Sequence, residues 1–152
     1  MGNDKPDRFP VVTLCGSTKF YDDFMIAQRE LSAEGNVVLS CSIYHHSKDK
    51  DYWEFLSDNR KAELYELLKM EHFQRIDMSD VIFVVNPGGY IGELTATEIE
   101  YARAAGKGIM YMYGRDGVSV FHCNSRQNCL VYPRSVPTEK GGEFNSRMAG
   151  DD

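Results

Sequence analysis

The sequence predicts an α/β protein in which a parallel sheet of four to five strands carries helices on both faces. Short apolar segments alternate with amphipathic helical segments along most of the chain, which is typical of β-α-β units. The apolar segments hold few polar residues, as in strands that are buried on both faces. With 152 residues, the chain is long enough for one such domain with a substantial core.

The elements follow from these patterns in chain order. The predicted strands are 11–15, 37–43, 81–85 and 108–113. The predicted helices are 20–33, 58–78 and 95–105, and 44–56 is predicted to be a loop with some local helix. Ser57 is placed to cap the second helix, and Gly35 and Gly106 are placed to end the first and the third.

The chain beyond Gly114 is less regular. Pro133, Pro137 and the pair Gly141–Gly142 interrupt it, and the final residues resemble a frayed terminus. We therefore predict one domain over residues 1–117 and an irregular, partly disordered appendage over residues 118–152.

The charge balance limits the classes of partner. The net charge is −6 and the isoelectric point is near 5.2, which argues against a protein that binds nucleic-acid polymers through a basic face. A local cradle of amides and one cation can still bind a small phosphorylated ligand. No apolar stretch approaches the length of a membrane span, and the first ten residues lack the apolar core of a signal peptide. No membrane partner is expected.

The four cysteines form no CxxC pair, and their spacing is typical of reduced thiols in the cytoplasm. A metal site built from His122, Cys123 and Cys129 is conceivable, but the spacings of zinc ligands are absent. The sequence therefore leads us to expect neither a metal nor a cofactor.

Ligands of open parallel sheets gather at the carboxyl ends of the strands, which brings the loops 16–20, 44–51 and 86–98 to one edge. In the first loop, free backbone amides beginning at Gly16 can bind an anion. Ser17 and Thr18 can donate hydrogen bonds to it, and Lys19 adds a positive charge. The alternative is a plain N-cap at Ser17 or Thr18. The spaced glycines of a Walker motif are missing.

The third loop holds a second group of candidate ligand-binding residues. The side-chain amide of Asn86 stands at the end of a strand, where it could bond a ligand. Gly88, Gly89 and Gly92 would let the backbone approach that ligand closely.

Glu98 has two interpretations. The segment Thr95-Ala96-Thr97-Glu98 fits a capping box, in which the glutamate bonds back to the cap amide. In the alternative, a carboxylate in the first helical turn, beside the end of a strand, is placed to act as a nucleophile at this edge. Glu100 is expected on another side of the helix, in solvent.

Three segments together resemble the nucleoside 2-deoxyribosyltransferase superfamily, which includes the nucleoside 5'-monophosphate N-glycosidases. They are Leu14–Phe20, Ser79–Asp80 before the third strand, and Glu98–Lys107. The likeness covers roughly residues 11–113, with the segments in the same order and spacing. It departs from the family at Glu100, which replaces a glycine, and at His72, which stands where the family has an acid.

The resemblance implies a flavodoxin-like fold, a homodimer or higher homo-oligomer, and cleavage or transfer at the N-glycosidic bond of a nucleoside or nucleoside 5'-monophosphate. Glu98 then corresponds to the nucleophile. His72 becomes the candidate proton donor, a role that histidine can fill near neutral pH. Ser17, Thr18 and Lys19 would hold a 5'-phosphate, which favours a monophosphate as substrate.

A second likeness leads to the same reaction class. The segment Pro87–Gly92 is similar to the PGGxGT stretch of phosphoribohydrolases, although Ile91 is an insertion and Glu93 replaces the threonine. Glu93 would contact a sugar hydroxyl or is an exposed loop acid. A nucleotide-sensing module of the same fold is the alternative function, because such a cradle binds without chemistry. An interaction subunit that has lost its ligand is a third.

Overall fold

A computed structural model describes residues 7–121 and 149–150 of the chain. Its strands are β1 (Val11–Gly16), β2 (Val37–Leu39), β3 (Val81–Val85), β4 (Ile91–Gly92), β5 (Gly108–Tyr111) and β6 (Ala149–Gly150). Its helices are α1 (Tyr21–Ala33), α2 (Lys50–Glu54), α3 (Asp58–Asp77) and α4 (Glu93–Ala104), with a 3-10 turn at Pro87–Gly89.

Four parallel strands form the main sheet in the spatial order β2-β1-β3-β5. This order confirms the predicted parallel α/β architecture and is that of a flavodoxin-like fold. Helix α1, which follows β1, packs on one side of the sheet, and helix α4, which follows β3, packs on the other. A separate short pair joins β4 to β6.

The layers follow from the twofold alternation of side chains along the strands. Val12 and Leu14 of β1 pack with Phe24 and the rest of the apolar face of α1. Cys15 points to the opposite face, where it packs with Ile76 of α3 and with α4. The same alternation in β3, whose five residues are all buried, builds both cores at once. The sheet therefore lies between α1 and the α3–α4 layer.

Several predicted boundaries agree with the structure. β3 has the predicted bounds, and α3 begins directly after Ser57, whose hydroxyl accepts a hydrogen bond from the amide of Arg60 at 3.1 Å. The interior positions of strands and a strong N-cap are local signals, so the sequence alone carries them.

Other boundaries were predicted wrongly. β2 ends at Leu39 instead of residue 43, and β5 ends at Tyr111 instead of residue 113. α4 begins at Glu93 instead of Thr95, with Gly92 as its N-cap. In both strands the apolar pattern continues past the point at which the backbone leaves the ladder, and in α4 the N-cap is Gly92 instead of a residue near Thr95.

The C-terminal end of α3 is tied to the sheet by hydroxyl groups. The hydroxyl of Ser79 donates to the carbonyl of Arg75 at 2.7 Å, and the Thr13 hydroxyl of β1 donates to the same carbonyl at 3.0 Å. Nearby, Asp80 accepts a hydrogen bond from the Val11 amide at 2.8 Å and forms an ion pair with Arg8. Asp80 thus fixes the amino-terminal edge of the sheet.

Most of the predicted appendage, residues 118–152, lies outside the described residues. Residues 118–121 turn back along β5, where the Val120 amide donates to the Met112 carbonyl at 2.8 Å. Within the described part of the chain, no helix has both the length and the apolar character that crossing a bilayer requires.

Candidate functional site

A cleft opens at the carboxyl ends of β1 and β2, beside α3 and the start of α4. Its deeper part has a volume of about 80 Å³ and its outer part about 380 Å³. Gly16, Thr18, His45, Tyr65 and Leu94 line both parts, which are therefore continuous. The position is the one that the topology of an open parallel sheet predicts for a ligand.

Glu98 faces the deeper part of the cleft, as predicted for a reactive carboxylate. The capping-box interpretation is wrong, because α4 begins at Glu93 and Thr95 already lies inside the helix. Glu98 shares the buried face of α4 with Thr95, Ile99 and Ala102, at the three- and four-residue spacing of one helical face. Only 5% of Glu98 is exposed.

Glu100 lies on the solvent side of α4, as expected. Its carboxylate is 3.2 Å from the guanidinium of Arg103, one turn along the helix, and its side chain is 77% exposed. Two glutamates of one helix thus have opposite environments, and only Glu98 can reach a ligand in the cleft.

Three buried side chains from three elements meet at the inner end of the cleft, where His72 and Glu98 line the wall and Cys15 lies behind them. The Nε2 atom of His72, on α3, is 3.6 Å from Oε1 of Glu98, on α4. The same Nε2 atom is 3.4 Å from Sγ of Cys15, on β1. We call Cys15, His72 and Glu98 the inner triad. The structure brings together both predicted catalytic residues and adds a cysteine that the sequence did not single out.

His72 is neutral at physiological pH. Burial, with a smaller contribution from the positive charge of Arg75, lowers the pKa of His72 to about 4. The guanidinium of Arg75 lies 3.5 Å from Nδ1 and can only donate a hydrogen bond. Nδ1 therefore accepts, and the ring proton is assigned to Nε2, where it faces Cys15 and Glu98.

Cys15 is a protonated thiol in this setting. Burial raises its pKa well above the usual value, and the neighbouring Glu98 carboxylate, to which the thiol is hydrogen-bonded, raises it further. A thiol of this kind is a weak nucleophile, so Glu98 is the group of the inner triad suited to attack a carbon atom.

The predicted phosphate cradle is only partly at the cleft. Ser17 and Thr18 line its outer part. Lys19 is exposed and its ammonium lies 3.7 Å from the centre of the Tyr90 ring, outside the cleft lining. The N-cap interpretation is wrong, since α1 starts at Tyr21 and its N-cap residue is Phe20.

Thr18 instead connects the first and second loops. Its hydroxyl is 2.9 Å from Nδ1 of His46, and its carbonyl accepts a hydrogen bond from Ser47 at 2.6 Å. The hydroxyl of Ser17 accepts a bond from the Lys19 amide at 3.3 Å. These contacts fix the outer rim of the cleft.

Gly16 is required by the close approach of two strands. A Cβ atom on Gly16 would lie 2.7 Å from the Val85 carbonyl oxygen, inside the van der Waals limit. The predicted role of Gly16 at the site is thus accompanied by a steric one in the sheet.

The third loop contributes less than predicted, since its candidates do not line the cleft. The side chain of Asn86 is fully buried and bonds the backbone of Tyr113 twice, at 2.9 and 3.1 Å. Gly88 and Gly89 adopt positive φ angles of 67° and 79°, which serve the turn itself. Gly92 caps α4 and Glu93 is exposed in its first turn.

Other residues of the cleft were missed from the sequence. Arg75 and Lys69 of α3 line the deeper part, and Lys61 lines the outer part beside Trp53. The ring of Trp53 lies against His45, with centroids 4.6 Å apart. Helical spacing could have identified the α3 residues of the cleft. Residues 65, 68, 69, 72 and 75 lie three or four positions apart on one face of α3.

The inner triad also has the ligand types that transition metals use. One ligand atom from each side chain lies within 4.8 Å of the others, and all three residues are buried. His122, Cys123 and Cys129, considered above for a metal site, lie outside the described residues.

Comparisons of the whole sequence with models of known protein families and with curated proteins find no match. Function must therefore be inferred from the cleft and from the motif likeness described above.

Proposed function

We propose that this protein cleaves or transfers at the N-glycosidic bond of a nucleoside or nucleoside 5'-monophosphate, with Glu98 as the nucleophile. The observation that carries the proposal is the Glu98 carboxylate, held nearly buried on α4 at the wall of the cleft. A poorly solvated carboxylate at the edge of a parallel sheet can attack an electrophilic sugar carbon. The resemblance of the segments around Cys15, Asp80 and Glu98 gives independent support.

In the proposed reaction, a carboxylate oxygen of Glu98 bonds to the anomeric carbon while the bond from that carbon to the base nitrogen breaks. The electron pair leaves with the base, which takes up a proton. Water or a second base then displaces the sugar from Glu98 and regenerates the carboxylate. The two-step route divides one difficult displacement into two easier ones.

His72 has a different role here from the one predicted. Burial and the positive charge of Arg75 lower the pKa of His72 to about 4, so its ring is neutral at physiological pH. A neutral imidazole is a poor acid, so we assign His72 as a positioning residue that packs beside the Glu98 carboxylate, with Nε2 3.6 Å from Oε1. The proton for the leaving base then comes from solvent or from another group of the cleft.

A nucleotide-sensing module remains the second candidate function. The observation that favours it is the outer rim, where the contacts of Thr18 with His46 and Ser47 fix two loops around a volume of about 380 Å³. A rim of this kind holds a ligand whether or not Glu98 reacts.

The deciding experiment incubates the full chain with a panel of nucleosides and nucleoside monophosphates and measures released base by chromatography. Glu98→Gln should reduce base release by more than about 10⁴-fold, beyond the effect of losing one acid-base group. Glu100→Gln is the matched control on the solvent side of the same helix and should retain activity.

Mass spectrometry of a quenched reaction should find a sugar adduct on the peptide that contains Glu98. Near-normal turnover by Glu98→Gln would refute the proposed mechanism. Tight binding of an intact nucleotide, with no base released from any member of the panel, would establish the sensor instead.

A further inference from the structure

We propose that the inner triad, Cys15, His72 and Glu98, is a binding site for a borderline-soft divalent cation of the Zn²⁺ type. These residues come from β1, α3 and α4, and each is at most 8% exposed. They supply one thiol sulfur, one imidazole nitrogen and one carboxylate oxygen, a combination that zinc prefers. The cleft beside Glu98 leaves a fourth position for water or a ligand.

Two of the three donor-to-donor distances are close to those around one tetrahedral ion. With Zn–S near 2.3 Å and Zn–N and Zn–O near 2.0 Å, neighbouring ligand atoms stand roughly 3.3–3.6 Å apart. The structure has 3.4 Å between Sγ of Cys15 and Nε2 of His72, and 3.6 Å between Nε2 and Oε1 of Glu98. All three donor atoms lie within 4.8 Å of one another, so small side-chain rotations would bring them onto three corners of a coordination sphere.

Two protons have to move when the ion binds. The Cys15 thiol loses its proton to solvent as the sulfur bonds the metal. The ring proton of His72 leaves Nε2, which becomes the ligand atom, and a proton occupies Nδ1. Nδ1 then no longer accepts a hydrogen bond from Arg75, whose guanidinium has Ser42 at 3.4 Å and Glu71 at 3.7 Å as other partners.

Arg75 therefore opposes the cation in two ways. Its charge lies 3.5 Å from the ring that must bind the ion, and its N–H groups favour the tautomer that cannot. A glutamine at this position removes the charge and offers an oxygen that can accept the proton on Nδ1. Arg75→Gln should consequently strengthen binding of the cation by at least about tenfold, or about 1.4 kcal/mol.

The site has a consequence for activity that rests on the function proposed above: a Glu98 carboxylate that ligates the ion cannot attack a sugar carbon. Bound cation would then inhibit the enzyme reversibly. Binding itself is independent of that function and is measured without substrate.

The test uses Co²⁺ as a spectroscopic probe and the full chain with Cys41→Ser, Cys123→Ser and Cys129→Ser, which retains Cys15 as its one cysteine. A thiolate-to-cobalt charge-transfer band should appear and should disappear on addition of Zn²⁺. Adding His72→Gln or Glu98→Gln should weaken affinity by more than about 100-fold. Circular dichroism checks that each variant is folded.

Isothermal titration of the wild-type chain in buffers of different ionisation enthalpy should show proton release on binding of Zn²⁺. Cys15→Ser should lose most of that affinity, while Cys41→Ser, a change in the same cleft, should keep it. The comparison of Cys15→Ser with Cys41→Ser tests the site even if the variant with three cysteines replaced does not fold.

The proposal is overturned if no charge-transfer band forms in folded protein, or if affinity is unchanged by His72→Gln and Glu98→Gln. It is equally overturned if Arg75→Gln weakens binding. A cation site in a protein that releases no base would refute the proposed function alone. Base release without any effect of Co²⁺ or Zn²⁺ on spectrum or heat would refute the metal site alone.

Discussion

Glu98 and Glu100 are two residues apart, and at the scale of single residues their environments are opposite. A rotation of about 200° along α4 separates a carboxylate that is 7% exposed from one that is 77% exposed. Helical geometry alone predicted this difference. The capping-box hypothesis for Glu98 failed because it needed the exact first residue of α4, and the turn Pro87–Gly89 and the cap at Gly92 set that residue through tertiary contacts.

The neutral His72 predicts a pH dependence of stability. Burial lowers its pKa from 6.5 to about 4, so between these values the unfolded chain binds a proton that the folded chain does not. The free energy of unfolding should fall as the pH decreases through this window, by up to about 3 kcal/mol from His72 at 1.36 kcal/mol for each pH unit. Urea unfolding at intervals from pH 7 to pH 4 measures this slope.

His72→Gln is the variant for this test, because it cannot take up that proton. Its slope against pH should be shallower than that of the wild type. Burial and His46 also lower the pKa of His45 to about 4, but that contribution is common to both proteins. Parallel slopes would show that protonation of His72 does not oppose folding.

A lysine that the sequence did not single out is better placed than Lys19 to bind a phosphate. Lys61 lines the outer part of the cleft with Ser17 and Thr18, whereas the ammonium of Lys19 lies over Tyr90. Lys61→Ala should raise KM by about tenfold for a nucleoside monophosphate, since a charge-assisted hydrogen bond is lost, and should change little for the nucleoside.

Lys19→Ala is the matched control for this experiment. Equal changes in KM for both substrates in Lys61→Ala would place the phosphate elsewhere. A phosphate-specific effect of Lys19→Ala would restore the role that the sequence predicted for it.

At the scale of elements, α3 is the helix that the sequence predicted best, and its cap gives a stability prediction. Ser57→Ala removes the hydrogen bond to the Arg60 amide and should lower the free energy of unfolding by about 1 kcal/mol. Ser32→Ala, at an exposed position of α1, should be neutral or slightly stabilising because alanine favours helix. Urea denaturation of both variants compares them. An equal effect of the two changes would argue against the cap.

Elements defined by tertiary contacts were harder to predict. β2 was expected to continue to residue 43, since the segment 37–43 is apolar, yet it pairs with β1 only over Val37–Leu39. Beyond that point, Cys41 and Ile43 line the cleft. An apolar residue that faces a cavity has the same sequence signal as one in a strand, so periodicity could not separate them.

At the scale of the whole molecule, the topology alone brought His72 and Glu98 together from different elements. The sequence predicted that the loops 16–20, 44–51 and 86–98 meet at one edge, because the carboxyl ends of parallel strands share it, whereas His72 was identified only through the motif likeness. It did not identify Cys15, whose apolar neighbours mark it only as a core residue. Its partners stand far away in the chain, so no local spacing could reveal the inner triad.

The expected homodimer gives a prediction at this scale. Leu67 and Met70 lie three residues apart on α3 and are 42% and 59% exposed, on a side that does not line the cleft. If a second copy covers this side, Leu67→Glu combined with Met70→Glu should convert the dimer to a monomer in analytical ultracentrifugation. Like charges brought together in an apolar interface cost several kcal/mol.

Met78→Glu is the control, since Met78 is 57% exposed but follows the end of α3. A wild-type chain that sediments as a monomer would contradict the homodimer. A double variant that remains dimeric would place the interface on another surface.

The hydrogen bonds from Thr13 and Ser79 to the Arg75 carbonyl anchor the C-terminal end of α3 to the sheet. Tyr65, at the mouth of the cleft, is about 15 Å along the helix from Arg75, while His72 is only about 4.5 Å away. A tilt of about 5° around this end would move the mouth by roughly 1.3 Å and His72 by roughly 0.4 Å. Because Tyr65 lies farther from this anchor than His72, a tilt of α3 would change the width of the cleft mouth more than the position of the inner triad.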